Sequence, residues 1–270
     1  MMASRIVALV RAPTEALAQC ELTHLERTVI DVELARAQHR RYVEVLHDLG
    51  AEIVWLPSLE QHPDAVFVED MAVVLPEVAV IARSGAPSRR GEAATVAETL
   101  SAHRPLRWIE PPGSLDGGDV LCIGRTMLVG CSGRTDSVGA AALASAVSEL
   151  GYDVRAVPTE GCLHLRSACS FIPPETVLIN PQWIPREHFK GLRVIAVDGR
   201  EPYAANTLTL EGTTVISAAY PFTEKKLRRA GMRTLAIDVS EMHKAEAGLT
   251  CMSLILPPLT ASELALPGAD

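Results

Sequence analysis

The pattern that most constrains this chain is a repeat. Two short apolar strands joined by a tight turn, a helical stretch and a third strand recur with a period of about 45–50 residues, the range of propellers and other arrays. Ile6–Val10 opens the series. A helix follows over Asp31–Leu49, whose Leu34, Tyr42, Leu46 and Leu49 fall on one face, with Gly50 as its C-cap. Ile53–Leu56 completes that strand set, and the hairpin Ala72–Leu75/Val78–Ile81 turns at Pro76-Glu77. The next cycle has a helix near Glu92–His103, a strand at Leu106–Glu110 and a hairpin of Val120–Ile123 with Met127–Val129. The third has a helix near Ser137–Leu150, then Val154–Val157 and the hairpin Ser170–Ile172/Val177–Ile179. A short helix at Glu187–Lys190, the strand Arg193–Val197 and the hairpin Thr207–Leu210/Val215–Ser217 form the fourth. The fifth has a helix near Thr223–Ala230, Thr234–Ile237 and a last strand after Cys251.

Each unit reads as ββαβ. Five units predict an α/β fold: a closed, five-bladed, pseudo-symmetric α/β propeller with its helices outside. The last strand would pair with the N-terminal one to close the ring. Residues 1–258 then form a single propeller domain and 259–270 a C-terminal tail. The competing reading is an open sheet of Rossmann type. No Gly-rich phosphate fingerprint follows the first strand, which counts against it.

Composition narrows the function classes. Of 270 residues, 48% are hydrophobic, enough for a sizeable core, and 21% are charged, which disfavours wholesale disorder. With 33 acidic residues against 25 basic, the formal charge is −8, and no Lys/Arg-rich run offsets it. A nucleic-acid partner is therefore not expected. The balance suits a cationic ligand, and equally ordinary solubility. The run Ile6–Val10 is too short for a secretory h-region and Arg11 ends it, while no stretch approaches a membrane span. A cytoplasmic protein with no membrane partner is expected. The six cysteines, at 20, 122, 131, 162, 169 and 251, form no CxxC pair, so reduced thiols are expected and no zinc-type spacing is visible.

If the units superpose, what precedes each hairpin converges on the axis. Those segments are Asp64–Met71, Ser114–Asp119, Gly161–Ser167, Ala204–Asn206 and, before the last strand, Gly248–Cys251. Together they hold one thiol, one imidazole and several carboxylates. A lone cysteine is usually a small core hydrophobe. Cys251 gains another reading only from the company the repeat gives it.

That company is chemically coherent. A guanidinium is a poor electrophile because resonance spreads its charge. Carboxylates that grip its N–H groups fix its plane and turn its carbon toward a thiol. Cys251 as thiolate can attack that carbon. An amine leaves only when protonated, which His164 can do before it takes a proton from the hydrolytic water. A neighbouring carboxylate would orient the imidazole. The carboxylates alone would raise the thiol's pKa, so a bound cation or a protonated His164 must offset them.

The sequence resembles the dimethylarginine dimethylaminohydrolase family of the guanidino-group-modifying pentein superfamily. The resemblance rests on Asp64-Ala-Val-Phe-Val-Glu69-Asp70, Gly85-Ala-Pro-Ser-Arg89-Arg90, Leu115-Asp116-Gly-Gly-Asp119-Val, Arg134-Thr135, Gly161-Cys-Leu-His164-Leu and Gly248-Leu-Thr-Cys251. These lie in the family's order along almost the entire chain. The resemblance implies a five-bladed propeller that hydrolyses Nω-methylated arginine to citrulline and methylamine or dimethylamine. It implies a small-molecule substrate, no metal or organic cofactor, and a monomer or homodimer. Position by position, it implies Cys251 as nucleophile, His164 as general acid/base and Asp116 as the carboxylate supporting it. Asp64, Glu69 and Asp70 match positions on the guanidinium side, Arg89 and Arg134 the pair that binds the α-carboxylate. Leu22 and Ala245 match positions at the amino-acid end. Arginine deiminase chemistry on the same constellation, and a non-catalytic binding propeller, are the alternatives.

Other residues read more simply. Gly117 and Gly118 allow close backbone approach and Asp119 satisfies turn amides. One of Arg89 and Arg90 points inward and the other is solvated. Cys20, Cys122, Cys131, Cys162 and Cys169 are packing residues. Asn206 reads equally as a pocket residue or a turn residue. Met252, Glu246 and the short Arg186–Lys190 helix are modest departures from the family pattern.

Overall fold

Five three-stranded sheets follow one another, each built on the same plan. The computed structural model describes residues 6–258, so the expected tail at 259–270 lies outside the described residues. The chain opens with β1 (Val7–Val10) and β2 (Glu52–Trp55). It continues with β3 (Ala72–Val74), β4 (Ala79–Ile81) and β5 (Leu106–Trp108), then β6 (Val120–Ile123), β7 (Thr126–Cys131) and β8 (Asp153–Pro158). Next come β9 (Cys169–Ile172), β10 (Thr176–Ile179) and β11 (Arg193–Ala196), then β12 (Leu208–Leu210), β13 (Thr213–Ser217) and β14 (Arg233–Ile237), and last β15 (Leu254–Leu256).

In each sheet the first strand pairs antiparallel with the second, and the second parallel with the third. A parallel neighbour needs a crossover, which is why each cycle carries a connection after its second strand. The remaining sheet has the order β15-β1-β2, with Val7 opposite Leu256 and Leu9 opposite Leu254. The chain's two ends thus complete one blade, and the ring is closed as expected. One axial cavity bears residues from all five inner strands, among them Val73, Cys122, Phe171, Thr209 and Ile255.

Crossovers are made by α1 (Val32–Asp48), α2 (Ala93–Ser101), α3 (Ser137–Val147) and, in the fifth sheet, by a later helix, Pro221–Arg229. The fourth crossover has only a 3-10 turn at Arg186–Phe189 in place of the short helix expected at Glu187–Lys190. α1 starts where Asp31 accepts the Leu34 N–H at 3.0 Å, an N-cap. Its buried face is Ala35, His39, Tyr42 and Leu46, an i, i+4, i+7, i+11 stripe. Leu34, expected on that face, is 42% exposed, because at 3.6 residues per turn it lies about 80° round the helix from Tyr42, off the stripe. Five apolar clusters fill the spaces between adjoining blades and their helices. The last strand begins at Leu254, not directly after Cys251, which itself stands in a 3-10 turn, Thr250–Met252.

Candidate active site

The segments preceding the hairpins do converge. Asp70 lies in a 3-10 turn at Val68–Met71 that leads into β3, and Asp116 directly precedes the turn Gly117–Asp119 that leads into β6. His164 stands at the start of α4 (Leu165–Ala168), the short helix before β9, and Cys251 precedes β15. Gly118 is needed where these turns meet. A Cβ there would come within 2.6 Å of Asp70 Oδ1 and 2.9 Å of His164 Nδ1, while one on Gly117 would strike the Glu69 carbonyl at 2.1 Å.

His164 is 4% exposed and sits between carboxylates. Its Nε2 is 3.2 Å from Asp116 Oδ2 and its Nδ1 is 3.6 Å from Asp70 Oδ1. Burial opposes the imidazolium, but Asp70, Asp119 and Asp116 outweigh it and hold His164 up to about 10. Asp116 is fully buried; burial opposes its charge, and the hydrogen bond and charge of His164 win, so its pKa is lowered. It also accepts the Gly85 N–H at 3.0 Å. Asp119 accepts the Leu165 N–H at 2.9 Å and the Ser132 hydroxyl at 2.6 Å, turn work as expected. Its own charge still acts on the imidazole.

The thiol of Cys251 receives the Gly248 N–H at 3.4 Å. Burial first, then Glu69 and Asp70, push its pKa up, and the Gly248 amide and Arg166 only partly oppose them. These surroundings favour the thiol over the thiolate in the unliganded site.

Cys251, His164, Asp64, Asp70, Arg89, Arg134 and Ala245 line one cavity. Asp116 lies behind His164 and is not in that lining. Glu69 and Leu22 are not in it either. The Glu69 carboxylate accepts the Thr250 hydroxyl at 2.6 Å, has Arg166 Nε at 3.7 Å, and faces the axial cavity. Burial raises its pKa, partly countered by Arg166 and Thr250. Leu22 borders a neighbouring cavity that shares Asp64 and Arg89 with this one. Asp64 accepts the Glu21 N–H through both oxygens at 3.1 and 3.2 Å, and burial pushes it up to about 6 against Arg89 and that amide.

The two arginines differ. Arg89, 3% exposed, donates Nη1 to Asp70 at 2.5 Å, Nε to Glu92 at 3.2 Å, and Nη2 to Glu92 and to the carbonyls of Asp64 and Phe67. Most of its fork is engaged within the protein, and one Nη1 hydrogen is not used by these bonds. Arg90 is exposed, as expected for one of the pair. Arg134 is 9% exposed, and its one side-chain hydrogen bond among the described residues is a long 3.5 Å contact to Thr23 Oγ1. No carboxylate is paired with it there. A buried cation without an anion is costly, and here it faces the cavity.

Asp70, Asp116 and His164 bring donor atoms within 4.8 Å of one another, the one such group of candidate metal ligands among the described residues. Each of the two carboxylates already has a basic partner within the protein, Arg89 for Asp70 and His164 for Asp116. Cys162 is buried, with burial and Asp119 pushing its thiol up to about 12, and packs as expected. Arg166, Thr250 and Glu92 were not singled out from sequence. Glu92 could have been, since Arg89 and Glu92 are i, i+3.

The comparisons agree with this geometry. Residues 18–253 match the family model described as N,N dimethylarginine dimethylhydrolase, eukaryotic. A dimethylarginine dimethylaminohydrolase of Streptomyces coelicolor is 39% identical over 254 residues, covering 93% of this chain and 97% of the relative. That of Pseudomonas aeruginosa is 33% identical over 226 residues, 83% of this chain and 89% of the relative. A solved structure of the Pseudomonas aeruginosa enzyme, a cysteine-to-serine mutant complexed with citrulline, superposes with a TM-score of 0.89 at 31% identity, covering 95% of this chain and all of that one. By sequence, by fold and by the cysteine, histidine and carboxylates gathered at one end of its ring, this chain belongs to the dimethylarginine dimethylaminohydrolase family.

Proposed function

We propose that this protein hydrolyses Nω-methylated arginine, asymmetric dimethylarginine included, to citrulline and methylamine or dimethylamine. The observation that carries the reading is the cavity shared by Cys251, His164, Asp70 and Arg134, which has no carboxylate partner among the described residues. It offers a nucleophile and carboxylates at one side and a cation for an anionic group at the other. An amino acid with a guanidinium side chain has that charge layout.

The substrate guanidinium takes its place beside Asp70, with Asp64 at the cavity wall. Its charge offsets the carboxylates that keep the thiol protonated. Cys251 gives up its proton to solvent as the cation binds, and its sulfur attacks the guanidino carbon, forming the C–S bond. The imidazolium of His164 gives its proton to the departing amine as the C–N bond breaks. Water then attacks the S-alkylthiouronium carbon with neutral His164 as base, the C–S bond breaks, and citrulline and the thiol are restored. Asp116 keeps the imidazole in position and favours its cation throughout. Arg134, helped by the spare Nη1–H of Arg89, binds the α-carboxylate, and the Ala245 and Leu22 segments border the amino-acid end. Glu69 acts from below the nucleophile through Thr250. No cofactor supplies a step.

We place the protein in the cytoplasm as a monomer or homodimer; its six cysteines as free thiols support that location. No helix among the described residues is long and apolar enough to cross a membrane. The test is incubation of purified protein with asymmetric dimethylarginine, monomethylarginine, arginine and agmatine, with product and released amine measured by mass. Citrulline with dimethylamine supports the reading. Turnover of arginine alone replaces it with a deiminase, and no turnover of any replaces it with a binding propeller.

A further inference from the structure

The blade that contributes no reacting group still sends a polar side chain to this end of the ring. Asn206, just before β12, is 7% exposed and spends its whole amide on two neighbouring blades. Its Oδ1 accepts the Thr250 N–H at 3.0 Å. Its Nδ2 donates to Thr250 Oγ1 at 3.0 Å and to the Arg166 carbonyl at 3.2 Å. Thr250 is the residue before the nucleophile, and Arg166 lies two after His164 in α4. Asn206 also fills the space beside Gly248, whose N–H reaches the Cys251 sulfur; a Cβ on Gly248 would meet Asn206 Oδ1 at 2.4 Å.

We propose that Asn206 is a positioning residue that joins the Cys251 turn to the His164 segment and sets the direction of the Thr250 hydroxyl. The inference rests on the hydrolytic reading above. A hydroxyl has one proton to give. Because Asn206 Nδ2 supplies the hydrogen arriving at Thr250 Oγ1, the Thr250 proton is left for Glu69 Oε2. One amide therefore fixes three things: the nucleophile's turn, the first turn of α4 and the acceptor role of the carboxylate beneath Cys251. Only a side chain with both a donor and an acceptor in an amide's geometry meets Thr250 N–H and Oγ1 together. Groups that orient the ligands of metal sites change activity by about 10–100-fold when lost, and a group that orients a nucleophile's turn is expected to act on the same scale.

Asn206→Asp tests the idea at constant size. The new oxygen has no hydrogen to offer Thr250 Oγ1 or the Arg166 carbonyl, and it competes with Glu69 for the Thr250 proton. The expected result is a fall in kcat of about 10–100-fold with KM changed less than about threefold, in protein whose circular dichroism matches wild type. Thr250→Val, which keeps the backbone N–H but loses the hydroxyl, should fall in the same direction. Thr250→Ser, which keeps the hydroxyl, should restore kcat to within about threefold of wild type. A role in packing alone would lower the melting temperature of these variants while leaving kcat of the folded fraction intact. Wild-type kcat in Asn206→Asp, or equal loss in Thr250→Ser and Thr250→Val, overturns the proposal. Wild-type turnover in the same assay keeps the two readings apart: if wild type itself releases no citrulline, the hydrolytic reading fails first, and if it does while the variants match it, only the role of Asn206 fails.

Discussion

His164 Nε2 lies 3.2 Å from Asp116 Oδ2, and both side chains are shut off from solvent. With the charges of Asp70 and Asp119, the contact makes His164 an acid that keeps its proton far above neutrality, held up to about 10 against the cost of burial. A leaving amine needs such a donor, and a hydrolytic water needs the base it becomes after donation. Asp116→Asn keeps the shape and removes the charge. His164 should then release its proton at lower pH, so the alkaline limb of the kcat profile should move toward neutrality and kcat should fall by about 10²-fold. A pH–rate profile with its alkaline limb unmoved would remove Asp116 from this role.

The same contact predicts how stability varies with pH. The folded protein binds the His164 proton more tightly than the unfolded chain, whose histidines titrate near 6.5. The stabilisation is therefore complete below that value and is lost as pH rises through about 10. Between those limits wild type should lose stability with rising pH more steeply than His164→Ala. Denaturant titrations at pH 6, 8 and 10 measure the difference, and parallel curves for the two proteins would contradict it.

Cys251 should be unreactive at rest. Burial and the charges of Glu69 and Asp70 keep its proton on. Iodoacetamide should alkylate Cys251 slowly at pH 7 and steadily faster up to pH 10, with the adduct site read by peptide mass. Glu69→Gln removes one of the opposing charges, so its Cys251 should alkylate faster than wild type at pH 8. Cys251→Ser should fold normally and form no citrulline. Rapid alkylation of the unliganded wild type at pH 7 would show that the thiolate is already present.

Arg89 and Arg134 should fail differently. Removing Arg89 strands Asp70 and Glu92 in a buried site, which costs about 3–5 kcal/mol of stability. Arg134 has no carboxylate partner among the described residues, so its loss should leave folding almost unchanged. Arg134→Ala should raise KM for methylarginine, by the about 1.5–3 kcal/mol of a lost charged hydrogen bond, with little change in kcat. Thermal unfolding beside steady-state kinetics separates the two. Equal melting temperatures for both variants would contradict the division of labour.

The ring itself was legible because each blade repeats its strand order, and pattern matching needs only alternation and turns. The convergence of the candidate residues was legible because they occupy the same place before successive hairpins. Side-chain partnerships were not. Arg89 and Arg134 look alike in sequence, and only the burial of Asp70 and Glu92 around the first distinguishes them. Leu34 was misplaced because, about 80° round the helix from Tyr42, it lies off the stripe formed by Ala35, His39, Tyr42 and Leu46. Asn206 stayed ambiguous because its hydrogen bonds reach residues 40 and 44 positions away. Short motifs carry chemistry; long-range hydrogen bonds carry position.

Glu246, which lines the cavity, holds the loop Thr23–Leu25, and its removal should loosen that loop without weakening the ring. Its carboxylate accepts the N–H of Thr23 at 2.9 Å and those of His24 and Leu25, in a segment whose side chains are mostly exposed. The three amides of Thr23–Leu25 all point to one carboxylate, and such charge-assisted hydrogen bonds are about twice as strong as neutral ones. Glu246 also has φ +56, a left-handed conformation that costs a non-glycine residue about 1–2 kcal/mol. Two substitutions divide these effects. Glu246→Ala loses the hydrogen bonds and keeps the strained backbone. Glu246→Gly loses the same bonds and relieves the strain. Amide hydrogens of residues 23–25 should exchange faster in both, and KM should rise in both. The melting temperature should be higher in Glu246→Gly than in Glu246→Ala. Unchanged exchange at residues 23–25 in both variants would show that something other than Glu246 holds the loop.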